Sequence, residues 1–143
     1  MKQIKTEIQI NATPATVWKV LTNFEGHSQW NPFIKEITGD QKEGEKIKVR
    51  IQPPEGQEMS FTPKVLKFKE NEEFRWIGKL GIKGIFDGEH YFKLVDLGNN
   101  QTRFVHGENF GGILIPLMGK VLKKTKVGFE LMNEALKKEC ERA

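Results

Sequence analysis

Two histidines and a glutamate stand at alternate positions in segments whose other members on the same face are large and apolar. Over residues 84–95 the period of two puts Phe86, Gly88, His90, Phe92 and Leu94 on one side and Ile85, Asp87, Glu89, Tyr91 and Lys93 on the other. Over 102–110, Thr102, Phe104, His106, Glu108 and Phe110 share a face opposite Arg103, Val105, Gly107 and Asn109. Folding the two segments back on each other about 96–101 sets His90 against His106 or Glu108. An imidazole and a carboxyl converging on an apolar wall are the groups that move protons near neutral pH, provided they reach a substrate. The same three side chains can instead satisfy one another as a structural set, because buried ion pairs also perturb proton affinity. A metal is disfavoured, since metal ligands are usually more closely spaced and backed by an outer shell of hydrogen bonds.

The remaining large side chains suggest what such a wall would enclose. Trp30, Phe33, Phe61 and Trp76 are candidate pocket walls, with core packing as the alternative. A final helix from about Pro116 to about Glu141 presents Val121, Thr125, Gly128, Phe129, Met132, Leu136 and Cys140 as one stripe. At 1.5 Å per residue a helix of ~25 residues is ~38 Å long and spans a small domain. Gly128 costs ~1 kcal/mol of helix stability relative to alanine, which points to a close approach at its backbone. Gly111 and Gly112 precede the helix as an expected hinge, and the helix is expected to close the space as a lid. The expected ligand contacts are therefore Trp30, Phe33, Phe61, Trp76, Phe86, His90, His106, Glu108, Phe110, Gly128, Phe129 and Met132, with no catalytic residue assigned.

The elements that position these groups follow from periodicity and turn chemistry. Ile4, Thr6, Ile8 and Ile10 alternate with charged and polar residues as a half-buried strand does. Thr13 is an N-cap and Pro14 a first helical residue, and Val17, Val20, Leu21 and Phe24 repeat at helical spacing, with Trp18 packing beside them. A short helical piece, His27 to Trp30, ends where Asn31-Pro32 demands extended chain. Strands are expected near 33–39, 46–52, 58–69, 72–80, 84–95 and 101–110, separated by Gly, Asn, Asp and Pro clusters. Connections this short make the pairs antiparallel, because a parallel pair needs a crossover of a dozen residues or more.

With 143 residues the chain fits one domain, 1–143, able to bury a core without disulfides. The single cysteine, Cys140, and the lack of an apolar leader after Met1 predict a cytoplasmic protein, and no run of ~18 apolar residues exists to insert stably in a membrane. The net charge of +4 comes from Lys and Arg scattered among Asp and Glu. Lys120, Lys123, Lys124 and Lys126 form a local excess that a solvated helix face explains, so nucleic acid is not an expected partner. No phosphate loop, Cys pair, zinc-protease motif or nucleophile elbow is present, and neither metal nor cofactor is expected.

In Ala12-Thr13-Pro14-Ala15-Thr16-Val17-Trp18, Trp30-Asn31-Pro32-Phe33, Phe74-Arg75-Trp76, Phe86-Asp87-Gly88-Glu89-His90-Tyr91-Phe92 and Thr102-Arg103-Phe104-Val105-His106-Gly107-Glu108 the chain resembles the SRPBCC superfamily. That group includes START lipid-binding domains, birch-pollen-type proteins and the bacterial polyketide cyclase/dehydrase-like branch, which is the most similar. The resemblance implies an α+β helix-grip fold: a curved antiparallel sheet of about seven strands around a long C-terminal helix, with two short helices after the first strand. It also implies an apolar cavity between sheet and helix, and it transfers no catalytic set.

Three functions follow as expectations. The first is binding or carrying a small hydrophobic molecule, lipid-like, aromatic or polyketide-like. The second is a cyclase- or dehydratase-like enzyme with His90, His106 or Glu108 as acid or base. The third, a protein-binding regulator, requires a large exposed apolar patch, which the predominantly Lys, Glu and Gln surface disfavours.

Overall fold

The computed structural model describes residues 2–79, 87–111 and 119–142. The expectations for Leu80, Phe86, Gly112 and Pro116 fall outside them. The chain opens with β1 (Lys2–Ile10), whose inward Ile4, Thr6 and Ile10 are buried as the alternation demands. Helix α1 (Pro14–Thr22) begins where the Thr16 amide donates to Thr13 Oγ1 over 3.2 Å, and it buries Val17, Trp18 and Leu21. A 3₁₀ turn (Phe24–Gly26) leads into the short α2 (His27–Trp30).

His27 fastens this region. Its Nε2–H donates to the Leu21 carbonyl over 2.6 Å, and its Nδ1 accepts from Asn31 Nδ2 over 3.0 Å. The Asn31 Oδ1 in turn accepts from the amides of Phe33 and Ile34, each at 2.9 Å, so one buried amide turns the chain into the next strand.

The strands are β2 (Ile34–Gly39), β3 (Ile47–Ile51), β4 (Met59–Phe61), β5 (Lys64–Lys69), β6 (Glu73–Lys79), β7 (Asp87–Gly98) and β8 (Gln101–Gly111). Every pairing is antiparallel, with β1-β8-β7-β6-β5 forming one sheet and β2-β3-β4 a second. The expected strand 58–69 is therefore two strands. Pro63, which has no amide hydrogen for a ladder, falls at the break. Its carbonyl still accepts from Ile47, and the Val65 amide donates to Glu45, so the two sheets continue into each other beside this proline.

The β7–β8 hairpin turns through Asn99 and Asn100, both in the left-handed region at φ 53° and 58°. Asn-rich two-residue turns with positive φ match the twist of the flanking strands, and this one holds the register His90↔Glu108 and Phe92↔His106. Helix α3 (Gly119–Arg142) lies across the sheet and buries Leu122, Thr125, Gly128, Phe129, Met132, Asn133, Leu136 and Cys140. The buried stripe thus starts at Leu122 rather than Val121, which is 40% exposed, and it includes a polar member, Asn133. Near its C-terminus the helix is tied to β1, where Lys137 Nζ donates to the Gln9 carbonyl over 2.9 Å and Glu141 accepts from the Asn11 amide over 2.9 Å.

Candidate functional site: a cavity backed by a buried polar chain

Between the sheets and the start of α3 lies a cavity of about 60 Å³ lined by Ile51, Met59, Phe61, Gly78, Gly88, His90, Glu108, Phe110, Val121, Leu122 and Thr125. One water needs ~10–15 Å³ on this measure, so the space suits several waters or a small apolar group. The apolar cavity expected between sheet and helix lies, among the described residues, at this end, and rings fill the layer beyond it. Trp76, Phe92, Phe104 and Phe129 are fully buried, and Phe129 stacks on His106 with centroids 4.0 Å apart.

Of the residues expected at a ligand, Phe61, His90, Glu108 and Phe110 line this cavity. Trp76 stacks behind His90 at 4.7 Å, and His106 and Phe129 form the layer beyond. Met132 is fully buried in the core. Phe33 is buried against Phe129, edge to face at 5.3 Å, and Gly128 faces it: a Cβ there would lie 2.6 Å from Phe33 Cδ1 and 3.3 Å from Pro54 Cδ. The close approach inferred from Gly128 is therefore a contact with protein. Trp30 lines a separate groove on the outside, between α1 and the end of α3. Of the two acids assigned to the outer face, Glu89 lies 3.6 Å from Arg75 Nη1 and Asp87 is half-buried.

The polar groups form a continuous chain whose direction can be read from its far end. A backbone carbonyl only accepts, so the 2.7 Å contact of Thr6 Oγ1 with the His106 carbonyl makes Thr6 the donor. Thr6 Oγ1 then accepts from Asn133 Nδ2 over 2.8 Å, which turns Asn133 Oδ1 toward His106 Nδ1 at 2.9 Å. That Nδ1 carries the proton, so the neutral ring has an acceptor at Nε2. The 2.8 Å contact between the two Nε2 atoms makes His90 the donor. His90 Nδ1 is left as a lone pair, 3.3 Å from Glu108 Oε1 on the cavity wall.

Burial decides the charges. His90 is stacked among Trp76, Phe92 and Phe129, and desolvation lowers its pKa from 6.5 to about 3. His106 is held well below its ordinary value by burial and by the neighbouring His90. The Glu108 carboxyl is raised by burial from 4.5 to about 8, so at neutral pH the site is a carboxylic acid beside two neutral imidazoles. Gly88 makes room for it, since a Cβ at that position would collide with Glu108 Oε2. The chain ends internally on a carbonyl, which suits it to orienting His90 and Glu108 rather than to carrying protons to bulk water.

Asn133 and Thr6 escaped the sequence reading. The available signal was a polar residue four positions after Phe129 on an apolar helical stripe, and a threonine among the inward isoleucines of β1. Cys140, also on the stripe, is buried and its thiol is pushed up to about 12, leaving it protonated and unreactive. Among the described residues no group of three His, Cys, Asp or Glu could hold a metal ion, and no helix is long and apolar enough to cross a membrane.

A long helix gripped by an antiparallel sheet, with two short helices after β1, is the helix-grip architecture. Residues 1–142 match the family model for polyketide cyclase / dehydrase and lipid transport proteins, and the chain belongs to that family. Similar solved structures include protein MLL2253 from Mesorhizobium loti (17% identity, TM-score 0.78, covering 99% of this chain and 98% of that one). A START superfamily protein from Mycobacterium smegmatis aligns at 21% identity and TM-score 0.75, over 98% and 97% of the two chains. The Zhui aromatase/cyclase from Streptomyces sp. R1128 aligns at 13% identity and TM-score 0.78, over 99% and 94%. At these identities the likeness establishes the fold. Comparison with curated protein sequences gives no match.

Proposed function

We propose that this protein binds a small apolar molecule in the cavity bounded by Phe61, Phe110 and Leu122, with His90 and Glu108 as its polar contact. The observation that supports this reading most directly is a largely enclosed carboxyl that accepts no hydrogen bond from the described residues, placed on a mostly apolar wall. Such a wall with a few converging polar groups is the usual make-up of a small-molecule site. Membership of a family named for cyclisation, dehydration and lipid transport agrees with an apolar ligand. Titration with one-ring aromatic probes, followed by backbone amide shifts, tests it. Shifts concentrated at Met59, Phe61, Gly88, Phe110 and Leu122 support the reading, and shifts confined to the groove beside Trp30 overturn it.

The Glu108 carboxyl also favours a second reading, proton transfer to or from the bound molecule. An acid whose pKa is about 8 is suited to general acid catalysis near neutrality, and His90 would position it. In that case turnover of a β-hydroxy ketone by dehydration falls with Glu108→Gln and with rising pH. Unchanged turnover in that variant removes Glu108 from the chemistry.

A further inference from the structure

Resting on the cavity reading above, we infer that the site selects apolar molecules bearing a hydrogen-bond donor, a hydroxyl or phenol, and rejects molecules that present a carboxylate. The inference follows from the direction of the hydrogen bonds, which the Thr6 hydroxyl sets by donating to the His106 carbonyl. Through Asn133 and His106 that direction leaves His90 Nδ1 as a lone pair facing Glu108. The one proton of the Glu108 carboxyl is therefore opposed by an acceptor, and its other oxygen, lodged over Gly88, has only lone pairs to offer.

Among the described lining residues the remaining polar side chain behaves in the same way. Thr125 Oγ1 donates to the Val121 carbonyl over 2.8 Å, which leaves its lone pairs free. Among the described residues that line the cavity there is no Lys or Arg. All the described polar side chains on this wall thus accept, and a ligand completes that set by donating. A carboxylate would bring a further acceptor, and a charge with no side-chain cation among the described lining residues to meet it, into a site that already keeps its own carboxyl protonated.

The test uses three molecules of one ring size, 4-ethylphenol, ethylbenzene and 4-ethylbenzoate, titrated at pH 7 against the full chain by calorimetry and amide shifts. The expected order is 4-ethylphenol tightest, with 4-ethylbenzoate weaker by about tenfold or more, the scale of discrimination when a buried polar group is left without its partner. Glu108→Gln keeps the order, because the amide N–H₂ donates to His90 Nδ1 and the amide oxygen takes the acceptor position. Glu108→Leu brings 4-ethylphenol and ethylbenzene to within about twofold of each other. Equal affinity for all three, or tighter 4-ethylbenzoate, overturns the inference while the cavity reading stands. Persistence of the phenol advantage in a Glu108→Leu protein with an unchanged amide spectrum also overturns it. Absence of binding by all three overturns the cavity reading and this inference together.

Discussion

Glu108→Gln should make the protein more stable as pH rises, against the usual expectation for loss of a charged residue. The carboxyl has an ordinary pKa of 4.5 and a folded value of about 8, so between those limits the native state holds a proton that the unfolded chain has lost. The slope of stability with pH is then negative: the stabilisation is complete below 4.5 and is lost as pH climbs through about 8. Each pH unit inside the window costs ~1.4 kcal/mol, which gives a ceiling of ~5 kcal/mol. The side chain is 15% exposed on the cavity side, where water can enter, and ~2–3 kcal/mol is the expected difference. Glutamine keeps the shape of the neutral acid and donates to His90 in its place, so the two proteins should unfold alike near pH 5. Urea denaturation followed by tryptophan emission at half-unit steps from pH 5 to 9 reads the difference directly. The stability gap should open steadily toward pH 8.5. Parallel profiles would mean that Glu108 carries no ionisation cost, and a variant losing ground above pH 6 would mean that Glu108 is ionised and paired with a charged His90.

Below pH 6.5 the histidines act in the other direction. His27, His90 and His106 all have lowered folded pKa values, so their neutral burial favours folding above 6.5 and stability is lost as pH falls toward about 3, the folded value of His90. Steep acid unfolding beginning near pH 6, reduced in a His90→Phe variant, is the expected result. Asn133→Leu removes the acceptor of His106 Nδ1–H and the donor to Thr6, and should cost ~1–3 kcal/mol in chemical denaturation. Phe129→Ala empties a fully buried position stacked on His106 and should cost ~3–5 kcal/mol. Gly128→Ala gains ~1 kcal/mol of helix propensity but drives a methyl into Phe33, an overpacking cost of ~1–3 kcal/mol. The expected net effect is neutral to destabilising, and stabilisation by the full propensity gain would show that Phe33 yields freely.

Much of the fold was legible because its signals are local. The alternation read over 84–95 and 101–110, the Thr13-Pro14 start of α1 and the Gly98-Asn99-Asn100 turn each depend on neighbours in the chain: β7 and β8 bury Gly88, His90, Phe92, Leu94, Thr102, Phe104, His106 and Phe110 from one face, α1 starts at Pro14, and the hairpin turns at Asn99 and Asn100. The same alternation put His90, His106 and Glu108 on the inner face, since a period of two admits only one other choice. The division of the expected 58–69 strand was visible in Pro63, whose missing amide hydrogen breaks a ladder.

Other features depend on groups far apart in sequence. Which aromatic residues line a cavity and which fill the core follows from how α3 crosses the sheet, and this leaves Phe61 and Phe110 at the space, buries Phe33 and Met132, and puts Trp30 outside. The hydrogen-bond direction at Glu108 likewise depends on a hydroxyl on β1, an amide on α3 and two imidazoles on β7 and β8, joined across up to 127 positions. By itself the sequence determined residue types, periods and turns, and so which side of each strand faces inward. Tertiary structure alone decided the charge and hydrogen-bond direction of the site, because desolvation and donor–acceptor matching are properties of groups brought together by folding.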